Sequence, residues 1–243
     1  MMRTGTAVVV GVGSVSGLGA ALARRFAREG LKVIVAGRTL DRLQAVVTGI
    51  QATGGFAQPA VTDATRESEV VSLFDKAATD ADLELVVFNV GNNAVSPFLQ
   101  MSVDFFESLW RQNTLGGFLV GREAVRRLLL QQRGTLLFTG ATASLSARPP
   151  FTAFAAAKAA LRAVAQGLAR EFGPQGIHIA HIVIDGVIQG DYARHQFPDL
   201  VQAKGLDGLM ALDDLADAYW ALHRQPRSAW THELDLRPFK EPF

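Results

Sequence analysis

Two patterns in this chain are of types and spacings that do chemistry. The apolar run Ala7 to Val10 opens into Gly11, Gly13, Gly17 and Gly19, and a helical pattern follows at once. Glycines in such a turn let the backbone come close to a pyrophosphate while the positive end of the helix faces it. The second pattern is Phe154-Ala155-Ala156-Ala157-Lys158. Residues four apart in a helix lie one turn apart on one face, so Phe154 and Lys158 share a stripe that Leu161 continues. The lysine offers a cation to a ligand, and the phenylalanine beside it has no proton to give or take.

A third position bears on what the glycine turn would hold. An acid at the end of the second strand, about 20 residues after the glycines, would accept a ribose 2′-hydroxyl. This chain has Ala36-Gly37-Arg38-Thr39 there. A guanidinium pairs with a 2′-phosphate through charge-assisted hydrogen bonds, where a carboxylate would repel it. NADP(H) is therefore favoured over NAD(H), the alternative being that Arg38 is a solvated residue after a strand.

These residues need a scaffold, and the hydropathy pattern supplies one. Strand-like runs occur at Ala7 to Val10, Leu31 to Ala36, Phe56 to Val61, Leu83 to Phe88, Thr135 to Thr139, Ile177 to Ile184 and Trp230 to Leu236. Amphipathic stretches such as Leu43/Val47/Ile50 and Leu161/Val164/Leu168/Phe172 lie between them. Short apolar strands alternating with helices imply parallel strands joined by right-handed crossovers. The expected fold class is α/β: a doubly wound, mostly parallel seven-stranded sheet with helices on both faces. Gly30, Gly54 with Gly55, and Gly173 with Pro174 stand where helices should stop. With 243 residues, 49% of them hydrophobic, one domain over 1–243 is expected. Residues 189–212 break the alternation and are the candidate substrate-covering insertion.

Composition removes other classes. A net charge of +1 carries no polyanion signal, so no nucleic-acid partner is expected. Arg122, Arg126, Arg127 and Arg133 read as a solvated helix face rather than an anion site. The chain has no cysteine, which excludes disulfides and thiolate chemistry. His178 and His181, three apart in a strand, point to opposite faces, so no metal site is expected. The first apolar run is too short for a signal-peptide core or a membrane span, which makes a cytoplasmic protein the expectation.

Over nearly its whole length the chain resembles the short-chain dehydrogenase/reductase family. The resemblance rests on Gly13-x-x-x-Gly17-x-Gly19 with Ser16 and Leu18 inside it, on Asp63-Ala64 after the third strand, and on Asn89-Val90-Gly91 after the fourth. It rests further on Asn113 in Gln112-Asn113-Thr114-Leu115-Gly116, on Lys158, and on Asp185-Gly186-Val187-Ile188. It implies a Rossmann-like fold and a nicotinamide cofactor held by Gly13, Ser16, Gly17, Leu18, Gly19, Arg38, Asp63, Ala64, Asn89, Val90, Gly91, Lys158, Gly186 and Ile188. It places Asn113, Phe154 and Lys158 at catalytic positions, with Asn113 holding a water next to the lysine, and it implies a homodimer or homotetramer packed on the Phe154 helix through Ala160, Ala163 and Gly167.

The chain departs from the family pattern where substrate oxygen would be handled. Phe154 stands at the tyrosine position, Ala141 at the serine position thirteen residues earlier, Asp185 at a proline, and Val12 where threonine is frequent. Thr142 and Ser144 are candidate stand-ins for the serine, and Tyr192 is a candidate donor from the insertion. Tyr219 reads as packing. Phe151, Phe154 and Phe197 are candidates for an apolar pocket. Two functions remain open: hydride transfer between NADP(H) and a small carbonyl or enone with a non-standard proton donor, or a catalytically inactive NADP(H)-binding sensor or partner subunit.

Overall fold

A computed structural model of the chain describes residues 5–79, 81–91, 93–205 and 207–241. Seven strands form one sheet in the order β3-β2-β1-β4-β5-β6-β7. They are β1 (Thr6–Val10), β2 (Lys32–Gly37), β3 (Phe56–Val61), β4 (Leu83–Phe88), β5 (Thr135–Thr139), β6 (His178–Ile184) and β7 (Glu233–Leu236), and every neighbouring pair is parallel. Four starts differ from the hydropathy pattern: β1 takes in Thr6 as well, while Leu31, Ile177 and Trp230 lie ahead of their strands and are not ladder residues.

The central strand β1 shows why an unbroken valine run serves here. Ala7 and Val9 pack into one core with α1 (Leu18–Arg28), α2 (Leu40–Ala52) and α9 (Leu212–His223). Val8 and Val10 pack into the other with α3 (Glu67–Ala77), α5 (Gly116–Leu129) and α6 (Thr152–Phe172). Successive side chains point to opposite faces, and helices cover both, so no polar alternation is tolerated. Pro59, a residue without an N–H, is accommodated because β3 is an edge strand with only β2 beside it.

Gly30 and Gly54 follow α1 and α2 with φ of 93° and 80°, where a side chain would strain the backbone. α6 ends at Phe172 with Gly173 as its C-cap, where the stop was expected. Gly173–Gln175 form one 3-10 turn, and the left-handed residue is Gly176, φ 91°. Chain order reverses between β1 and β4, which lie side by side while β2 and β3 run off to the left of β1. The loops after β1 and β4 therefore open into one crevice at the carboxyl ends of the strands, the usual ligand position in such sheets.

Candidate functional site

The glycine turn lies at that crevice. Gly17 is the N-cap of α1, no side chain caps the helix and no acid occupies its first turn, which leaves the positive end available to an anion. The glycines divide the work. A Cβ at Gly19 would stand 2.8 Å from Gly11 O and 3.1 Å from the Val12 Cα, so Gly19 is what lets α1 close on β1. At Gly13 a Cβ would meet nothing within 4 Å, so that glycine keeps space open. Ser16 and Leu18 lie in and just after this turn. Val12 is buried, and its carbonyl would stand 2.3 Å from a Cβ at Gly37, so the end of β2 is pinned against the same turn.

Arg38 follows β2 and is exposed. Across from it, Asp63 Oδ1 accepts the Thr65 N–H at 2.9 Å and the Thr65 hydroxyl at 2.8 Å. Burial raises the Asp63 pKa, but these two hydrogen bonds and the charges of Arg38 and Arg66 outweigh it and hold the carboxyl below its usual range. Ala64 is buried beside it.

Beneath the crevice runs a buried hydrogen-bond chain. Asn89 Nδ2 donates to Gly11 O at 3.2 Å, and Thr139 Oγ1 donates to Asn89 Oδ1 at 3.1 Å. The Tyr219 hydroxyl meets Thr139 Oγ1 at 2.8 Å. Tyr219 is fully buried in α9, and burial raises its pKa further above the ordinary phenol value. It packs, as its position suggested, and it also ties α9 to the strand ends. Its partner is 80 residues away, so no local signal announces that bond.

Lys158 is drawn to the same strands. From α6 its Nζ donates to Thr139 O at 2.9 Å and Val90 O at 3.1 Å, with Gly91 alongside. Burial pushes its pKa down to about 7. The Phe154 ring, 8% exposed, lies 5.8 Å from that Nζ and packs with Leu109 and Ala153 into a small apolar cluster whose rim includes Ala141, Ala143 and Phe151. Phe151 and Phe154 thus come together, but Phe197 does not. It pairs edge-on with Tyr192, centroids 6.1 Å apart, in the 189–212 segment.

Asn113 sits in a π-helical turn, Arg111–Leu115, between α4 (Val103–Trp110) and α5. It is fully buried; its Nδ2 donates to Leu109 O at 2.9 Å, while its Oδ1 is buried with no protein donor. π turns of this kind concentrate at functional sites. Of the two hydroxyls after β5, Ser144 is buried and accepts the Ala141 N–H at 3.1 Å, so it is folded back on its own loop. Thr142 instead donates to Asp185 Oδ1 at 2.5 Å.

Gly186 and Ile188 follow, and Ile188 bridges to Met210. That bridge closes the 189–212 segment at its base. The segment carries α7 (Asp191–Gln196) and α8 (Pro198–Lys204); position 206 lies outside the described residues. Sequence reasoning passed over one contact here: Ser14, in the glycine turn, donates to Asp191 Oδ2 at 2.5 Å and so ties α7 to the phosphate loop.

The four arginines read as a solvated face are ion-paired: Arg122 with Glu67, Arg126 with Glu123, Arg127 with Asp75 and Arg133 with Asp82. Among the described residues no helix is long and apolar enough to cross a membrane.

Comparison with known proteins places this geometry. Residues 6–199 match the family described as short chain dehydrogenase. An uncharacterized oxidoreductase of Staphylococcus aureus (strain MRSA252) is 29% identical over 236 residues, 96% of each chain. The crystal structure of a short-chain dehydrogenase from Rhodopseudomonas palustris is 38% identical with a TM-score of 0.84, covering 98% of this chain and all of the other. A gluconate 5-dehydrogenase from Burkholderia cenocepacia J2315, solved in complex with NADP and tartrate, has the same fold at 22% identity, with a TM-score of 0.85 over 98% and 95% of the two chains.

Proposed function

This chain belongs to the short-chain dehydrogenase family, and on that premise we propose that it is an oxidoreductase moving hydride between NADP(H) and a small carbonyl or enone, with a proton donor other than residue 154. The observation that carries it is the pairing of an uncapped helix start at Gly17 with a buried Lys158 whose ammonium lies at the ends of β4 and β5. When bound, the cofactor supplies the hydride. The turn Gly13 to Gly19 would hold its pyrophosphate, Arg38 its 2′-phosphate, Asp63 and Ala64 its adenine, and Lys158 its ribose. Asn89 with Val90 and Gly91 would line the crevice floor, and Gly186 and Ile188 would flank the nicotinamide. The orphaned Asn113 Oδ1 is an acceptor for a water next to Lys158.

The whole of 1–243 is taken as one domain, with 189–212 covering the substrate; residues 1–4, 80, 92, 206, 242 and 243 lie outside the described residues. A homo-oligomer is proposed on the outer side of α6. There Ala163 and Gly167 are exposed and Ala160 partly so, and nothing lies within 4 Å of a Cβ on Gly167, so a second helix can approach closely. The protein is taken to be cytoplasmic.

A second reading, an NADP(H)-binding sensor or partner subunit without turnover, is favoured by Phe154 and Ala141, neither of which can polarise or protonate a substrate oxygen. One experiment separates the two. Fluorescence titration with NADPH and NADH is followed by a carbonyl and enone turnover panel on wild type and on an Ala141→Ser, Phe154→Tyr double variant. The expected result is tighter binding of NADPH than of NADH and measurable wild-type turnover. Tighter NADH binding overturns the cofactor assignment; NADPH binding with turnover only in the double variant establishes the sensor.

A further inference from the structure

Three positions at which the chain departs from the family pattern meet around one hydroxyl. The Phe154 ring packs with Ala141 and Ala143, the two neighbours of Thr142. Thr142 Oγ1 in turn donates to the Asp185 carboxylate. Their 2.5 Å separation is at the short end for a hydroxyl donating to a carboxyl group. The other carboxylate oxygen, Oδ2, takes Arg237 Nη2 at 2.9 Å. Thr142 and Asp185 are each only partly buried. Substrate and water can therefore reach a pair whose two members are already hydrogen-bonded.

The other candidate proton carriers are committed elsewhere. Ser144 is buried and turned back onto the Ala141 N–H. Tyr219 is buried against Thr139, and Tyr192 is 57% exposed with its ring against Phe197. Lys158 donates to two backbone carbonyls. Thr142 alone among these joins a hydroxyl to an acid within the loops after β5 and β6.

We propose that Thr142 and Asp185 form the proton-transfer pair of this site, doing together what a phenol at position 154 would do. The proposal rests on the hydride-transfer reading above. Once hydride has added to a carbonyl carbon, the π pair resides on oxygen and needs a proton. In that direction the Asp185 carboxylate first takes up a proton from solvent; the Thr142 O–H bond then breaks to supply the alkoxide, and Thr142 Oγ1 takes the Asp185 proton, which restores the carboxylate. In alcohol oxidation the same bonds form and break in reverse, with Asp185 receiving the proton as hydride departs. Thr142 already donates to Asp185 Oδ1, the arrangement that passes a proton from an alcohol toward the carboxylate, so hydroxy compounds are the substrate class to try first.

The test compares wild type, Thr142→Val, Thr142→Ser and Asp185→Asn. Turnover is expected to fall by about 10² to 10⁴-fold in Thr142→Val and in Asp185→Asn and to return in large part in Thr142→Ser. The NADPH Kd should stay within about twofold across the set, because the lost interaction acts in the transition state. Infrared difference spectra of cofactor-free wild type against Thr142→Val should show a shifted carboxylate band that is missing in Asp185→Asn. That readout needs no turnover and survives if one variant folds poorly. Turnover by Thr142→Val within about threefold of wild type, or no carboxylate shift, overturns the pair. So does tight NADPH binding by wild type with no turnover on alcohols, carbonyls or enones, which leaves the cofactor assignment standing; failure of wild type to bind NADPH overturns the proposed function itself.

Discussion

At the scale of single residues, Lys158 carries the most consequence. Burial holds its pKa down to about 7, so the ammonium is only partly charged at neutral pH. A complex in which ribose hydroxyls accept from Lys158 favours the charged form, so binding takes up a proton. Affinity is then full below the free-protein pKa and falls as pH rises above about 7, by as much as tenfold per unit. Fluorescence titration of NADPH between pH 6.5 and 9 should show that fall, and Lys158→Met should flatten it. A pH-independent wild-type Kd would remove Lys158 from the cofactor site. The residue type and its spacing from Phe154 were legible in the chain. Its partners were not, because Val90 and Thr139 reach it through pairing of β4 with β5.

Among the elements, the β1–α1 unit is where sequence and structure agree most closely, since strand, turn and helix are consecutive and the glycines act locally. Even so, the glycines differ in kind. Gly19→Ala forces a Cβ against backbone at 2.8 Å that cannot give way, so α1 must lift from β1. A loss of roughly 1–3 kcal/mol is expected, read as a lower midpoint in thermal or urea unfolding, with NADPH binding weakened as well. Gly13→Ala meets open space and should leave the midpoint in place while weakening NADPH, because only the ligand would occupy that space. Equal effects of the two substitutions on stability would contradict this division. By contrast, the π turn at Arg111–Leu115, where Thr114 donates to Ala157 O, and the strap of α7 and α8 closed by Ile188 and Met210 make contacts distant in sequence. Only a break in the pattern marked the second of them.

For the whole molecule, the cost of a fully covered parallel sheet is that its polar groups are buried with it. Burial first, against the pull of Glu233 from β7 and with Lys158 and Arg162 on α6 adding repulsion, lowers His181 in β6 to about 4. Burial first, then Arg224 and His178, lowers His223 in α9 to about 4. Both histidines are therefore neutral in the fold and charged in the unfolded chain below about pH 6.5. The unfolded state binds more protons, so the histidines' contribution to stability is full above about 6.5 and is lost as pH falls toward 4, by roughly 1.4 kcal/mol per unit for each histidine. Urea midpoints at pH 7.5, 6 and 5 should decline accordingly, with a shallower decline in His223→Asn. A midpoint unchanged between pH 7.5 and 5 would refute the assignment.

The chain alone determined the alternation of strand and helix, the parallel sheet, the glycine turn and the identity of the residues at positions 141, 154, 158 and 185. Each is written in neighbouring residues or in a period of two or 3.6, so it survives without knowledge of the fold. Tertiary structure alone decided what those residues touch. It turned Ser144 inward and Thr142 onto Asp185, 43 positions away, joined Tyr219 to Thr139 across 80 positions, and set Phe151 but not Phe197 beside Phe154. Such contacts arise because adjacent parallel strands return to one edge of the sheet after crossovers of dozens of residues, and sequence spacing carries no record of which loops then meet.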